Sequence, residues 1–275
     1  MIRCFLHILN LAVKAALSEE QARDAYLLMR MVRDFIVAVK QSSNMQRELQ
    51  RLWTAGGRPG TMPTFLDWCD TRWIGVYVCI KRFLELSQIV QAYATAHVDQ
   101  FPGLSGCQAD LRNYAALEAI RDLLLPSAIV SQALQGDKYP TLSLTGYLFY
   151  MLKTAIELPV NRNNDSRAFT AFRKAFKKQL KERFPVTFWT DAHLLAMLLD
   201  PRVLRINSLA WTNAESDALR ERGNALLTQY FTEMRQTIAA RRAVPNGQPR
   251  NPAPAPQPVN DVPFIMTVPF NILLL

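Results

Sequence analysis

Glycine is scarce, with 10 residues in 275, and no block of alternating β-branched residues accompanies it. A sandwich, a barrel and a collagen repeat are thereby excluded. The four cysteines, at 4, 69, 79 and 107, form no CxxC pair and no repeated spacing. They read as reduced thiols in an intracellular compartment, and a disulfide framework is excluded. Histidine occurs only at His7, His97 and His193, so general bases are few. There is no Walker loop, HExxH, GxSxG or dinucleotide fingerprint. The glycine-rich loop at 56–60 lacks the Lys-Ser/Thr pair of a phosphate cradle. Long apolar runs are missing too. Lys14 breaks the run after Met1-Ile2-Arg3, and His7 and Asn10 lie inside it, which argues against a signal peptide. Residues 262–275 carry no charge, but they number 14 and contain Pro263 and Pro269, short of the roughly 20 residues of a spanning helix. The expectation is a soluble chain with no membrane anchor.

What is present is a folded composition, with 49% apolar and 20% charged residues. Thirty-two basic minus 23 acidic residues give a net charge of +9, which suits an anionic partner such as nucleic acid. Helix signals dominate. Ser18-Glu19-Glu20-Gln21 reads as a capping box, and Ala22, Ala25, Met29, Val32, Ile36 and Val39 then form one stripe. A second amphipathic segment reaches Trp53 and stops at the 55–60 loop. The next helix opens near Asp70 or Thr71 and repeats Trp73, Tyr77, Ile80 and Leu84, with loop signals returning at Phe101-Pro102-Gly103. Further helices are expected over 109–125, from Pro126 as a first-turn proline to Leu134 with Gly136 as C-cap, over 142–158, and over 167–184 with Asp165 or Ser166 as cap. Thr212-Asn213-Ala214-Glu215 is a second capping box, opening a stripe of Leu219, Leu226, Tyr230, Met234 and Ile238. Eight of the 16 prolines fall in the last 32 residues, and 252–258 reads as polyproline II. No repeat at a period of 20 to 50 residues is visible. The expected organisation is one helical domain, 1–243, followed by a disordered proline-rich tail, 244–275.

Few residues invite chemistry. His193 lies among Ala192, Leu194 and Leu195 and reads as a structural histidine. Asp67 and Asp70, three apart, fit a metal pair or a helix cap, and the cap is the simpler reading. Cys4 and His7 supply two zinc ligands where a structural site needs four. The basic signal is denser. Between Asp165 and Phe184 stand seven Lys or Arg residues against two acids. Phe169, Phe172, Phe176 and Leu180 share one stripe. Arg173, Lys177 and Lys181 form another, with Lys174 and Lys178 beside it. Such a face contacts phosphates by releasing counterions, or it is simply a solvated basic face.

Four short blocks then align with one family. Arg3-Cys4-Phe5-Leu6-His7-Ile8-Leu9-Asn10-Leu11 resembles the "C-x-x-H-x-L-N-L" segment of hAT-superfamily transposases, of the BED zinc-finger/RICESLEEPER-like kind. Asp67, Thr71-Arg72-Trp73, Tyr77 and Arg82-Phe83-Leu84-Glu85-Leu86 resemble its "D…TRW…Y…R-x-L-E-L" block. Gly136 to Thr141 is similar to its "G-x-x-Y-P-T" block, and Leu194 to Arg202 to "A-x-x-L-D-P-R". The blocks occur in the family's order over some 200 residues.

The resemblance implies an all-α fold, the multi-helix insertion domain that interrupts the RNase H-like catalytic core of a hAT transposase. In that family two catalytic aspartates precede the C-x-x-H segment, and a glutamate lies in a C-terminal "S/A-x-x-E-R-x-F-S" block. Only three residues precede Cys4 here, and no such glutamate block occurs, so neither Glu215 nor Glu221 inherits the role. The BED finger would also lie upstream. The expectation is therefore a truncated, catalytically incomplete protein and no enzyme. No catalytic residue, metal ligand or cofactor is assigned, because divalent metal and zinc belong to full-length relatives. Cys4 and His7 match the motif near the active site. Arg72 and Trp73 match the pair of DNA-hairpin handling, where the tryptophan stacks on an extruded base, although Trp73 also begins the apolar stripe with Tyr77 and Ile80. The expected partner is DNA, bound weakly through Arg72, Trp73, Arg173, Lys174, Lys177, Lys178 and Lys181, in the nucleus. Two alternatives stand beside it. One is a helical protein–protein interaction module, using helix faces or the proline-rich tail. The other is a shortened gene model of an active transposase.

Overall fold

The computed structural model describes residues 4–66, 73–135, 141–157, 166–200 and 214–243. Among them stand ten α-helices, three short 3-10 turns and no strand. The helices are α1 (Phe5–Ser18), α2 (Arg23–Gln41), α3 (Ser43–Ala55), α4 (Trp73–Glu85), α5 (Ser87–Ala96), α6 (Gln108–Leu134), α7 (Thr145–Glu157), α8 (Arg167–Arg183), α9 (Asp191–Leu199) and α10 (Ala214–Ala243). The all-α expectation holds.

Most helices form where apolar spacing predicts them. Ala25, Met29, Val32, Ile36 and Val39 are buried along α2. Ser42 accepts from the Met45 amide and so caps α3, which ends in a loop where Gly57 and Gly60 have positive φ. That backbone region is open to glycine at little cost. Ser166 caps α8 in the same way, accepting from the Phe169 amide. The core runs continuously from Phe5 to Leu219. Within it α1 packs on α8, α4 on α6, α6 on α7, α3 on α5 and α10 on α9.

Four local expectations change. Ser18 is the last residue of α1, with its hydroxyl donating to the Lys14 carbonyl. The capping box is replaced by a 3-10 turn, Glu20–Ala22, that leads into α2. The stretch up to Phe101 is divided, because Leu86 leaves helical geometry between α4 and α5. Pro126 opens no new helix but lies inside α6. A proline forfeits one intrahelical bond, and burial of Leu123, Leu124, Ala128 and Val130 around it holds the helix together. Finally, the α10 stripe is only half covered. Leu219 is buried and Leu226 packs at the core edge, but Tyr230, Met234 and Ile238 are 45%, 37% and 45% exposed. Gly136, Thr212, Asn213 and the tail 244–275 lie outside the described residues.

Two aromatic clusters organise the interior. Phe35 of α2 stands edge-on to Phe65, Phe83, Tyr93 and Phe101, with ring centroids 5.0–6.2 Å apart. Near the other end, Phe5 and Phe149 meet Phe184, while Phe188 and Trp189 close the group. Edge-to-face pairing satisfies the ring quadrupoles and adds to the area buried.

Candidate nucleic-acid interface

Helix α8 carries the basic face. Ala168, Phe169, Phe172, Ala175, Phe176 and Leu180 are buried against α1, α2, α6 and α7. Apolar residues at three- and four-residue spacing fix one side of the helix inward. The opposite side is left to solvent, and Arg167, Lys174, Lys177, Lys178 and Lys181 are exposed there.

The cations are not equivalent. Arg173 is half-buried, and its Nε donates to the Ile156 carbonyl at 2.9 Å. Ile156 lies in the last turn of α7, where carbonyls lack intrahelical partners. The guanidinium thus caps a neighbouring helix and is withdrawn from the exposed stripe. Lys178 pairs with Glu19, in the turn between α1 and α2, at 3.2 Å. The Gln179 amide donates to the same carboxylate at 3.0 Å. The Gln179 hydrogen bond first, then Lys178, hold the Glu19 carboxyl below its usual range against the effect of burial. Lys174, Lys177 and Lys181 remain. They have no ion pair among the described residues and repeat at three and four, so they share one face. Arg167 stands two turns before Lys174 and extends that face. Four cations thus span roughly 21 Å of helix at 1.5 Å per residue. The sequence pattern held Arg167 in the basic count without singling it out.

The second group of expected DNA contacts lies at the start of α4. Arg72, with Asp67, Asp70 and Thr71, is outside the described residues. Trp73 is the first residue of α4. The stripe partners expected for it, Tyr77 and Ile80, are buried. The segment approaching this point is pinned at four places. The Met62 amide donates to Gln50 at 2.8 Å, Arg82 Nη1 to the Thr64 carbonyl at 3.2 Å and Cys79 Sγ to the Leu66 carbonyl at 3.5 Å. Phe65 is buried against Phe35. Arg82 and Phe83 of the "R-x-L-E-L" block therefore act as scaffold, with Arg82 also paired to Glu85 at 2.9 Å.

Cys4 and His7 are exposed and one helical turn apart at the start of α1. Among the described residues no group of three His, Cys, Asp or Glu side chains gathers as a metal site. The turn that follows the third block meets the described part of the fourth. The Ser143 hydroxyl, two residues after Thr141, donates to the Asp200 carboxylate at 2.5 Å, and α9 packs on the 3-10 turn Leu142–Leu144. Segments 57 residues apart are thereby clamped.

Residues 2–105 match the family model of the ZBED1 RNase-like helical domain. The matched stretch, α1 to α5 and the loop beyond, is similar to that domain. It supports a transposase-derived helical domain of hAT/ZBED type. Cys4, His7, Arg72 and Trp73 fall within the match, and the basic helix α8 falls outside it. No curated protein and no solved structure matches the chain. No helix among the described residues is long and apolar enough to cross a membrane.

His193, the remaining histidine of interest, is 1% exposed. Its Nδ1 lies 2.8 Å from the Thr190 hydroxyl, and the Phe188 and Trp189 rings flank it. Burial lowers its pKa from the ordinary 6.5. The folded protein therefore binds fewer protons than the unfolded chain below that value. The stability it contributes is full above pH 6.5 and is lost as pH falls through the lowered folded value. Urea midpoints measured from about pH 7.5 down to 5.5 should fall, and the drop should shrink in His193→Gln. A wild-type midpoint flat across that range would contradict a buried neutral imidazole.

Proposed function

We propose that this chain is a transposase-derived helical protein that binds DNA weakly and does not cut it. The observation that carries the reading is the trio Lys174, Lys177 and Lys181, without an ion pair among the described residues, on the exposed side of a helix whose other side is core. A fixed row of cations releases counterions from a phosphate backbone without selecting sequence. The similarity over 2–105 supports the transposase origin. The loss of catalysis rests on the resemblance, since the "S/A-x-x-E-R-x-F-S" glutamate block does not occur in these residues. Metal-assisted strand transfer needs clustered carboxylates to hold its ions. A nuclear location follows from the same reading. The exposed stripe of α10 favours a second reading, a helical protein–protein interaction module.

Fluorescence anisotropy with a plain duplex and a hairpin-ended duplex, at about 50 and 200 mM salt, tests the first reading. Salt-sensitive binding to both is expected. A preference for the hairpin that disappears in Trp73→Ala would assign base stacking to Trp73, a contact worth about 1–3 kcal/mol per base. No binding at the lower salt would overturn the DNA reading and leave the interaction module.

A further inference from the structure

The second half of α10 is a helix with one wet apolar face. Its first half is seated: Leu219 is buried, and Gly223 lets the backbone approach Leu198 and Leu194 of α9. Arg222 adds a hydrogen bond to the Trp189 carbonyl at 3.4 Å and an ion pair to Asp191. The same stripe then continues past α9 with no partner among the described residues. Tyr230, Phe231, Met234 and Ile238 are 37–48% exposed, and every described side chain from 228 to 239 is exposed. A lone helix end of this length is marginal in water, and a contiguous apolar face of this kind marks a contact site.

We infer that this face is the docking site of the chain's own apolar segment, residues 262–275. Three observations converge on that occupant. The segment, Val262 to Leu275, holds Phe264, Ile265, Met266, Val268, Phe270 and a Leu273–Leu275 end, and carries no charge. It follows α10 after residues 244–261, and a linker of 18 residues can span up to about 55 Å at roughly 3.1 Å each. From Ile238 back to Tyr230 is only about 12 Å along the helix. The tether therefore reaches the whole stripe from the end of α10. A short tether also supplies an effective concentration in roughly the millimolar range. Area argues against the rival occupant, a second copy. The four apolar side chains offer roughly 350 Å2 at the stated exposures, less than half of the about 800 Å2 per partner in a stable interface, so a dimer would have to draw most of its area from the polar side chains around them. A tethered segment tolerates so small an area, and a bimolecular dimer does not.

The test uses the full chain and two variants, a Phe264→Asp/Phe270→Asp double substitution and a deletion of 262–275. Hydrogen exchange of the amides 228–239 is the readout, with α8 amides as the folding control. Expected is protection in the full chain that falls at least tenfold in both variants, while α8 is unchanged. Equal protection in the full chain and the variants overturns the proposal. So does free exchange of 228–239 in the full chain. Protection that rises with protein concentration together with a doubled mass in light scattering also overturns it, in favour of a second copy.

Discussion

Phe35→Ala is expected to destabilise the protein by about 3–5 kcal/mol, the cost of deleting a fully buried phenylalanine without collapse of the site. Phe35 is 0% exposed and is the only ring among the described residues that meets Phe65, Phe83, Tyr93 and Phe101 together. Those partners come from the loop before residue 67, from α4, from α5 and from the loop after it. One ring therefore joins four segments, and none of them can follow a truncated side chain without losing another contact. Small domains have about 5–15 kcal/mol in total, so the variant should unfold at a much lower urea midpoint. Val37→Ala, on the exposed side of the same helix, should stay within about 0.5 kcal/mol of wild type. A loss below about 1 kcal/mol for Phe35→Ala would mean that the cluster is not packed as described. Because Phe65 immediately precedes the stretch leading to Arg72 and Trp73, the same substitution should also loosen the approach to α4.

The triple substitution Lys174→Gln, Lys177→Gln, Lys181→Gln should leave stability nearly unchanged and weaken DNA binding on every sequence alike. All three side chains are exposed and unpaired among the described residues, so their removal exposes no buried partner. Each phosphate contact contributes about 0.9 to the slope of log K against log salt on duplex DNA. Loss of three contacts should flatten that slope by about 2–3, and affinity at about 50 mM salt should drop tenfold or more. Glu19→Gln should act in the opposite direction. It removes a carboxylate 3.2 Å from Lys178 and returns that ammonium to the basic face. Arg173→Gln should behave as neither, since it strips the cap from Ile156 and its cost should appear in stability. An unchanged salt slope in the triple variant would remove α8 from the interface.

What the sequence determined is local. The three- and four-residue spacing of Phe169, Phe172, Phe176 and Leu180 gave the buried side of α8, because a helix repeats every 3.6 residues whatever it packs against. Its start was narrowed to Asp165 or Ser166, since a side-chain oxygen before a helical run satisfies a free amide, and Ser166 is the cap. Two of the four short blocks, at 3–11 and 67–86, lie inside the 2–105 match that supports the relationship, and the other two lie outside it. His193 was legible as a core residue from its apolar neighbours.

The tertiary structure decided everything that depends on partners distant in sequence. Five cations looked alike on α8, but Ile156, 17 residues away, takes Arg173, and Glu19, 159 residues away, takes Lys178. Ser18 looked like the start of a helix, but it is the last residue of α1, which packs on α8. Pro126 looked like a helix start, and burial on both sides of it outweighed the missing hydrogen bond. The stripe of α10 was visible in the sequence, whereas its division into a seated and an unseated half was not. Periodicity reports which residues share a face, and only the arrangement of the other helices says whether that face is covered.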